Sequence, residues 1–394
     1  MSSLANCGGC GLEHPRQVLA RARGHAFWIR PDGACPACAQ EEILTTLLRQ
    51  GAAAFESSVQ RTWPLDARAI GPLPTPLRLR ADPRFTGRRI TIAIADSGFA
   101  ALDDLVLPTN RVKAWVDATK SPLRTHAFPP GTSPSWPGSQ AAADHLWHGT
   151  MTSAVAAGNG FASHGLYRGL APEADVVLIQ LADADGRITD RSLLRALTWV
   201  EGHAARYGIR VLSLSVAGDT PHLGLGPIDQ AVERLVSVGV TVVAAAGNDG
   251  TRRLLPPATA PSAITVGGID DAGGVDRASA QLWHGNFGDS ASGIPKPEIV
   301  APSIWVVAPI LPGSQASGLA RRLFAQREGG NDSGLAEITE RKFVTEAYQH
   351  VDGTSFAAPI VAAAVACMLE ANGDLTPRLI REILIRSAHP VPGA

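Results

Sequence analysis

With 394 residues, 45% hydrophobic and 18% charged, the chain can bury a large core and is too apolar to be a disordered one. Its net charge of −1 gives no electrostatic reason to expect nucleic acid or an anionic membrane as the main partner. No stretch reads as a membrane span, and the N-terminus "MSSLANCGGCGLEHPRQ" lacks the basic start and apolar core of a signal peptide, so the expected compartment is the cytoplasm.

Four of the five cysteines form two pairs, "CGGC" (Cys7, Cys10) and "CPAC" (Cys35, Cys38). The spacing Cys-x2-Cys, 24 residues, Cys-x2-Cys suits a tetrahedral site of four thiolates, with structural zinc as the expected metal and iron as the lesser alternative. Residues 1–42 resemble a zinc ribbon, a module that needs its metal in order to fold. His14 and His25 read as bystanders. Arg16, Arg21, Arg23 and Arg30 make the module mildly basic, and docking to a protein partner is its expected role. Cys367 reads as a small core residue.

Residues 43–87 form a second segment. "ILTTLLRQGAAAFESSVQRTW" predicts one or two short helices broken at Gly51, and "PLDARAIGPLPTPLRLRADPRF", with five prolines, predicts an extended linker. From residue 88 onward strand-like and helix-like runs alternate. "RITIAIAD", "VVLIQLAD", "IRVLSLSVAG" and "VTVVAAAGNDG" are continuously apolar, the last preceded by a helical stretch over 226–238. Such runs predict an α/β fold with a mainly parallel sheet between two layers of helices. Residues 121–143 and 311–342 read as loop insertions. "FAAPIVAAAVACML" (356–369) is apolar all round and predicts a buried helix of 14 residues with Pro359 in its first turn. "LTPRLIREILIRSA" predicts a final helix capped by Thr376, with Leu379, Ile380, Ile383 and Leu384 on one face.

Functional groups in an open parallel sheet gather at the carboxyl ends of its strands. There the sequence delivers Asp96 after "TIAIA" and Asn248 after "VTVVAAAG", while His148 and Ser355 each open a helix. Taken singly, each has an ordinary reading as a turn or cap residue. Together, an acid, an imidazole and a hydroxyl supply what nucleophilic acyl transfer needs: a weak nucleophile, a base near neutral pKa and a carboxylate that orients the base. An amide side chain and a helix-start N–H complete the set as oxyanion donors.

The blocks "IAIADSGF", "HGTMTSAVAAG", "AAAGNDG" and "GTSFAAP" occur in the order acid, base, amide, nucleophile and resemble those of the subtilisin-like serine proteases. "LSLSVAG", "PPATAPSAITVGG", "PEIVAPS" and "LTPRLIREIL" extend the resemblance over residues 88–394. It implies a subtilisin-like fold and a serine endopeptidase acting on protein or peptide substrates. Asp96 would orient the base, His148 would be the base, Ser355 the nucleophile and Asn248 the oxyanion donor. The strand around Ser213, Leu214, Ser215 and Val216 would bind an extended substrate backbone, with Ala245 and Gly247 on the opposite wall and Asp249 at the pocket rim. The family's prosegment would fall where the ribbon and residues 43–87 lie.

Several positions depart from the family pattern. Met151 stands where a second histidine is usual, and Ala217 where glycine is frequent. Phe356 replaces the methionine that usually follows the nucleophile, leaving no thioether there for peroxide to oxidise. The loop "AGNGFASHGLYRG" lacks carboxylates, so no tight calcium site is expected in it. The competing function is a catalytically silent binding or regulatory protein on a protease fold, acting through the ribbon. Within the enzyme class, the appended segments favour dedicated protein substrates over general degradation.

Overall fold

The computed structural model describes residues 4–6, 13–15, 35–62, 73–129, 132, 144–219, 224–274 and 280–392. Near the N-terminus, β1 (Leu4–Asn6) and β2 (Glu13–Pro15) pair antiparallel. Two helices follow, α1 (Pro36–Gln50) and α2 (Ala52–Thr62), separated at Gly51 as the sequence suggests. Helix α1 begins at Pro36, so it runs across the expected boundary at 42/43. A single turn, α3 (Thr75–Arg78), interrupts the proline-rich linker, and another, α4 (Asp103–Val106), lies further along the chain.

The main sheet is built from β3 (Thr91–Asp96), β4 (Val112–Asp117), β5 (Arg124–Ala127), β6 (Asp175–Gln180), β7 (Ile209–Leu214), β8 (Thr241–Ala245), β9 (Ile264–Asp270), β10 (Gln281–Leu282) and β13 (Ile299–Pro302). Its order is β10-β9-β8-β7-β3-β6-β4-β5, with β13 on β9. The β3, β4, β6, β7, β8, β9 and β13 pairings are parallel, while β5 and β10 join antiparallel at the margins. On one side of β3 the chain lays down β4 and β5 and returns to place β6 between β3 and β4, and it then crosses to β7 on the other side. This makes β3 the switch point, where the crevice of such a sheet opens.

The strands are apolar throughout because both faces are covered. Ile92, Ile94, Val176, Leu178, Val211 and Val243 face one core, while Ala93, Ala95, Val177, Ile179, Leu212 and Val242 face the other. On the first face lie α5 (Trp147–Ala157) and α10 (Thr354–Ala371); on the second lie α6 (Asp190–Tyr207) and α7 (Pro227–Ser237). The expected three-layer arrangement is present.

Helix α10 has 18 residues rather than 14, and a mean hydropathy of 1.7 makes it long and apolar enough to cross a membrane. It packs against β7, β8, β9 and β13 instead, as the core helix of the domain. Because it starts at Thr354, Pro359 falls in its second turn, where the missing N–H has a consequence for Ser355.

The span 311–342 is not a loop. It folds as α8 (Gln315–Glu328) and α9 (Leu335–Glu340), with the Ser314 hydroxyl capping the first. Ile310, Ala320, Leu323, Ile338 and Phe343 close a small core of their own. Residues β14 (Val306–Pro309) and β15 (Tyr348–Val351) pair antiparallel around this unit and lead into α10. The last helix, α11 (Pro377–Ser387), is capped by Thr376 as expected. Ile380 and Leu384 face the core, whereas Leu379 and Ile383 are exposed.

Candidate active site

Asp96 ends β3 and is completely buried. An ionised carboxylate is tolerated in such a place only with donors around it. Its Oδ1 accepts from the Ser97 N–H at 2.6 Å and lies 2.7 Å from His148 Nδ1, and its Oδ2 accepts from the Thr152 hydroxyl at 2.9 Å. Thr152 is four residues after His148 on α5, so one helix face supplies both partners. Gly149 permits the approach, since a Cβ there would fall on the Gly98 carbonyl and within 3.0 Å of Asp96 Cβ.

Burial pulls the His148 imidazole's pKa down, but the charge and hydrogen bond of Asp96 outweigh it and leave the ring above its ordinary value. Trp147 packs edge-on against the imidazole and is exposed beside it. On the other side the His148 ring lies 5.7 Å, centroid to centroid, from Phe356. His148 therefore stands next to the start of α10, beside the residue that follows Ser355.

Ser355 is the second residue of α10 and half-buried. Asn248 meets the same helix start: its Oδ1 accepts from the Thr354 N–H at 2.9 Å and the Thr354 hydroxyl at 2.8 Å. With its oxygen held twice, the Asn248 Nδ2 remains a donor without a protein partner among the described residues, and so does the Ser355 N–H. Two unspent donors at a helix N-terminus suit a developing oxyanion.

The approach to Asn248 is equally constrained. Gly247 has φ +106°, and a Cβ there would lie 2.6 Å from Asn286 Nδ2. The Asn286 side chain accepts from the Asp249 N–H at 2.8 Å and donates to Arg253 O at 3.1 Å, fixing the loop. The Asp249 carboxylate is turned toward Asn286 at 3.3 Å.

The residues expected to bind a substrate backbone differ in their pairing. Ser213 and Leu214 pair with Ile94 and Ala95 on one side and with Val243 and Ala244 on the other, so their backbones have no edge to offer a peptide. Ser215 and Val216 follow just beyond β7 and have no strand partner among the described residues, with Ala245 at the end of β8 and Gly247 two residues past it. Thr152, Thr354 and Asn286 were not singled out by the sequence. Only Thr152 carried a signal, its four-residue spacing from His148.

Of the four cysteines in the expected metal site, Cys7 and Cys10 lie outside the described residues. Cys35 is the buried N-cap residue of α1, and Cys38 lies half-buried in the first turn. Both thiols are thus at the positive end of a helix.

Residues 87–393 match the subtilase family, Peptidase_S8, and the chain belongs to that family. It is thereby placed in the class of subtilisin-like serine proteases, which are hydrolases. The serine protease AprX of Bacillus subtilis (strain 168) is 28% identical over 314 residues, a match covering 76% of this chain and 61% of AprX. Subtilisin BL of Lederbergia lenta is 28% identical over 304 residues, covering 77% of this chain and 84% of the relative. The solved structure of sphericase has the same fold, with a TM-score of 0.55 at 22% identity over 77% of this chain and 84% of that one.

Proposed function

We propose that this chain is a serine endopeptidase that cleaves peptide bonds through an acyl-enzyme on Ser355. His148 takes the Ser355 proton during attack and returns it to the leaving amine. Asp96 holds the imidazole tautomer and balances the imidazolium charge. Asn248 Nδ2 and the Ser355 N–H receive the oxyanion. Ser215 and Val216 on one side and Ala245 and Gly247 on the other bind the substrate as an added strand. The observation that carries this reading is the 2.7 Å contact between buried Asp96 and His148 at the switch point of the sheet, beside the start of α10.

The appended N-terminal region and the folded insertion over 311–342 favour dedicated protein substrates. A structural zinc on Cys7, Cys10, Cys35 and Cys38 would fix the entrance to α1. The helix-start position of Cys35 and Cys38 supports thiolates there, and thiolate ligands suit a reducing compartment, the cytoplasm. The module's own role would be docking to a protein partner.

Ser355→Ala tests the catalytic assignment. It should abolish peptide hydrolysis and fluorophosphonate labelling while leaving the circular dichroism spectrum unchanged; retained labelling would refute the role of Ser355. Metal analysis of the purified protein should return one zinc per chain, lost in Cys35→Ser.

A further inference from the structure

The loop over 158–169 leaves the end of α5 about 15 Å along the helix axis from His148. Helix α1 seats directly on it. Gln40 of α1 is fully buried, and its Nε2 donates to Gly165 O at 3.1 Å and Leu166 O at 2.8 Å. One turn earlier Ala37 packs on Gly165, so closely that a Cβ there would lie 2.7 Å from the alanine methyl. Glu41 pairs with Arg168 at 3.3 Å. Beneath these contacts Ile43, Leu44, Phe55 and Val59 share a core with Leu166, Tyr167, Val344 and Tyr348.

From the domain side, the Asp104 carboxylate also reaches this loop. Its two oxygens receive the Tyr348 hydroxyl, at 3.0 and 2.7 Å, and its Oδ1 also receives the Ala162 N–H at 3.2 Å. Calcium needs six to eight oxygen ligands converging on one point. Here the Gly165 and Leu166 carbonyls and the Asp104 carboxylate are met by N–H and O–H donors instead. Among the described residues, only the Gln40 Oε1 is left without a hydrogen-bond partner in this cradle, and one oxygen falls well short of a calcium shell.

We propose that residues 36–62 are a permanent internal brace of the peptidase domain, in which the Gln40 amide gathers the loop after the His148 helix as a bound calcium would. None of the brace contacts above involves Asp96, His148, Asn248 or Ser355. The segment supports the base-bearing helix from its far end and leaves the cleft free, unlike an inhibitory prosegment. Stability of the loop then depends on α1 and not on calcium.

The test uses the full chain carrying Ser355→Ala, so that self-cleavage does not interfere and no readout requires turnover. Millimolar calcium should leave the Tm of this protein unchanged. Gln40→Leu should lower Tm by roughly 5 °C, since one buried and one half-buried carbonyl lose their donor. Gln40→Glu should be destabilised with or without calcium, because its carboxylate has no N–H to give the two carbonyls and four oxygens do not complete a calcium shell. A site-specific cleavage sequence placed within 63–72 gives a second readout that does not depend on any Gln40 variant folding. After cutting, the N-terminal fragment should coelute with the domain in gel filtration. A calcium-dependent Tm in the parent protein, a Gln40→Leu Tm equal to it, or release of the cut fragment would each overturn the proposal.

Discussion

The Ser355 carbonyl accepts a hydrogen bond from the Ser215 hydroxyl at 2.7 Å, and Pro359 is what leaves that carbonyl available. Within α10 the carbonyl of residue 355 would ordinarily take the N–H of residue 359, and proline has none. The carbonyl of the proposed nucleophile is thus tied to the strand proposed to bind substrate. Removing the Ser215 hydroxyl leaves a half-buried acceptor unpaired and loosens the first turn of α10. Ser215→Ala should lower kcat by about tenfold, the worth of one hydrogen bond. Pro359→Ala restores an N–H four residues on, so the double variant should recover part of the loss. Steady-state kinetics decide the matter: an unchanged kcat in Ser215→Ala would disconnect the two residues.

The Asp96–His148 pair sets a pH dependence with two opposite faces. Catalysis needs the neutral imidazole, and its pKa is raised above the ordinary 6.5. The acid limb of kcat/KM should therefore be half-maximal above pH 6.5, with activity rising into the alkaline range. Stability runs the other way. A histidine whose folded pKa is raised contributes stability that is fully present below its unfolded pKa and is lost as pH rises through the folded one. In Ser355→Ala, Tm should show that decline, and adding Asp96→Asn should remove it; in the chain that keeps Ser355, Asp96→Asn should cut activity by about 10⁴-fold through the wrong tautomer. An acid limb at or below 6.5 would show that burial outweighs the carboxylate.

Gly149→Ala probes how closely α5 must approach β3. The new methyl would fall on the Gly98 carbonyl, 3.0 Å from Asp96 Cβ and 3.1 Å from the Phe99 ring. The backbone oxygen has no room to yield, so helix and strand must separate and the 2.7 Å contact lengthens. A misplacement on the order of 1 Å can cost about 10²-fold in rate. We expect kcat/KM to fall by at least that factor with a native-like circular dichroism spectrum. Wild-type kinetics in this variant would contradict the close approach.

What the sequence revealed and what it hid follow from the range of the interactions. Asp96 and Asn248 were legible because uninterrupted apolar strands mark where a parallel sheet ends, and His148 and Ser355 because each opens a small-residue helix. That Ser213 and Leu214 are paired on both sides was hidden, since apolar alternation does not reveal where sheet pairing stops and they look no different from Ser215. The helices at 315–340 were hidden by charge and glycine, because Ala320, Leu323 and Ile338 pack mainly within their own small unit. The seat of α1 on Leu166 and Tyr167 is purely tertiary, joining residues more than a hundred positions apart, and no local pattern announces it.

Asp104 offers a test of the ground beneath that seat. It is 1% exposed, and burial raises its pKa to about 6, against the Tyr348 hydroxyl, the Ala162 N–H and the Arg111 charge, which lower it. Neighbouring Asp103 adds a repulsive charge in the same direction as burial. Between the ordinary value of 3.8 and about 6, the folded chain holds a proton that the unfolded chain releases. Stability must then fall as pH rises through that window, by about 3 kcal/mol at most, and stay level above it with respect to this group. Asp104→Asn removes the titration while keeping a polar partner for Tyr348, whose hydroxyl can turn to accept from the new amide. The variant should match the parent near pH 4 and exceed it at pH 8, read as urea midpoints at both values in the Ser355→Ala background. If the difference between variant and parent is the same at the two pH values, Asp104 does not titrate in this window. Its carboxylate would then be held charged by Tyr348 and Arg111 across the whole range.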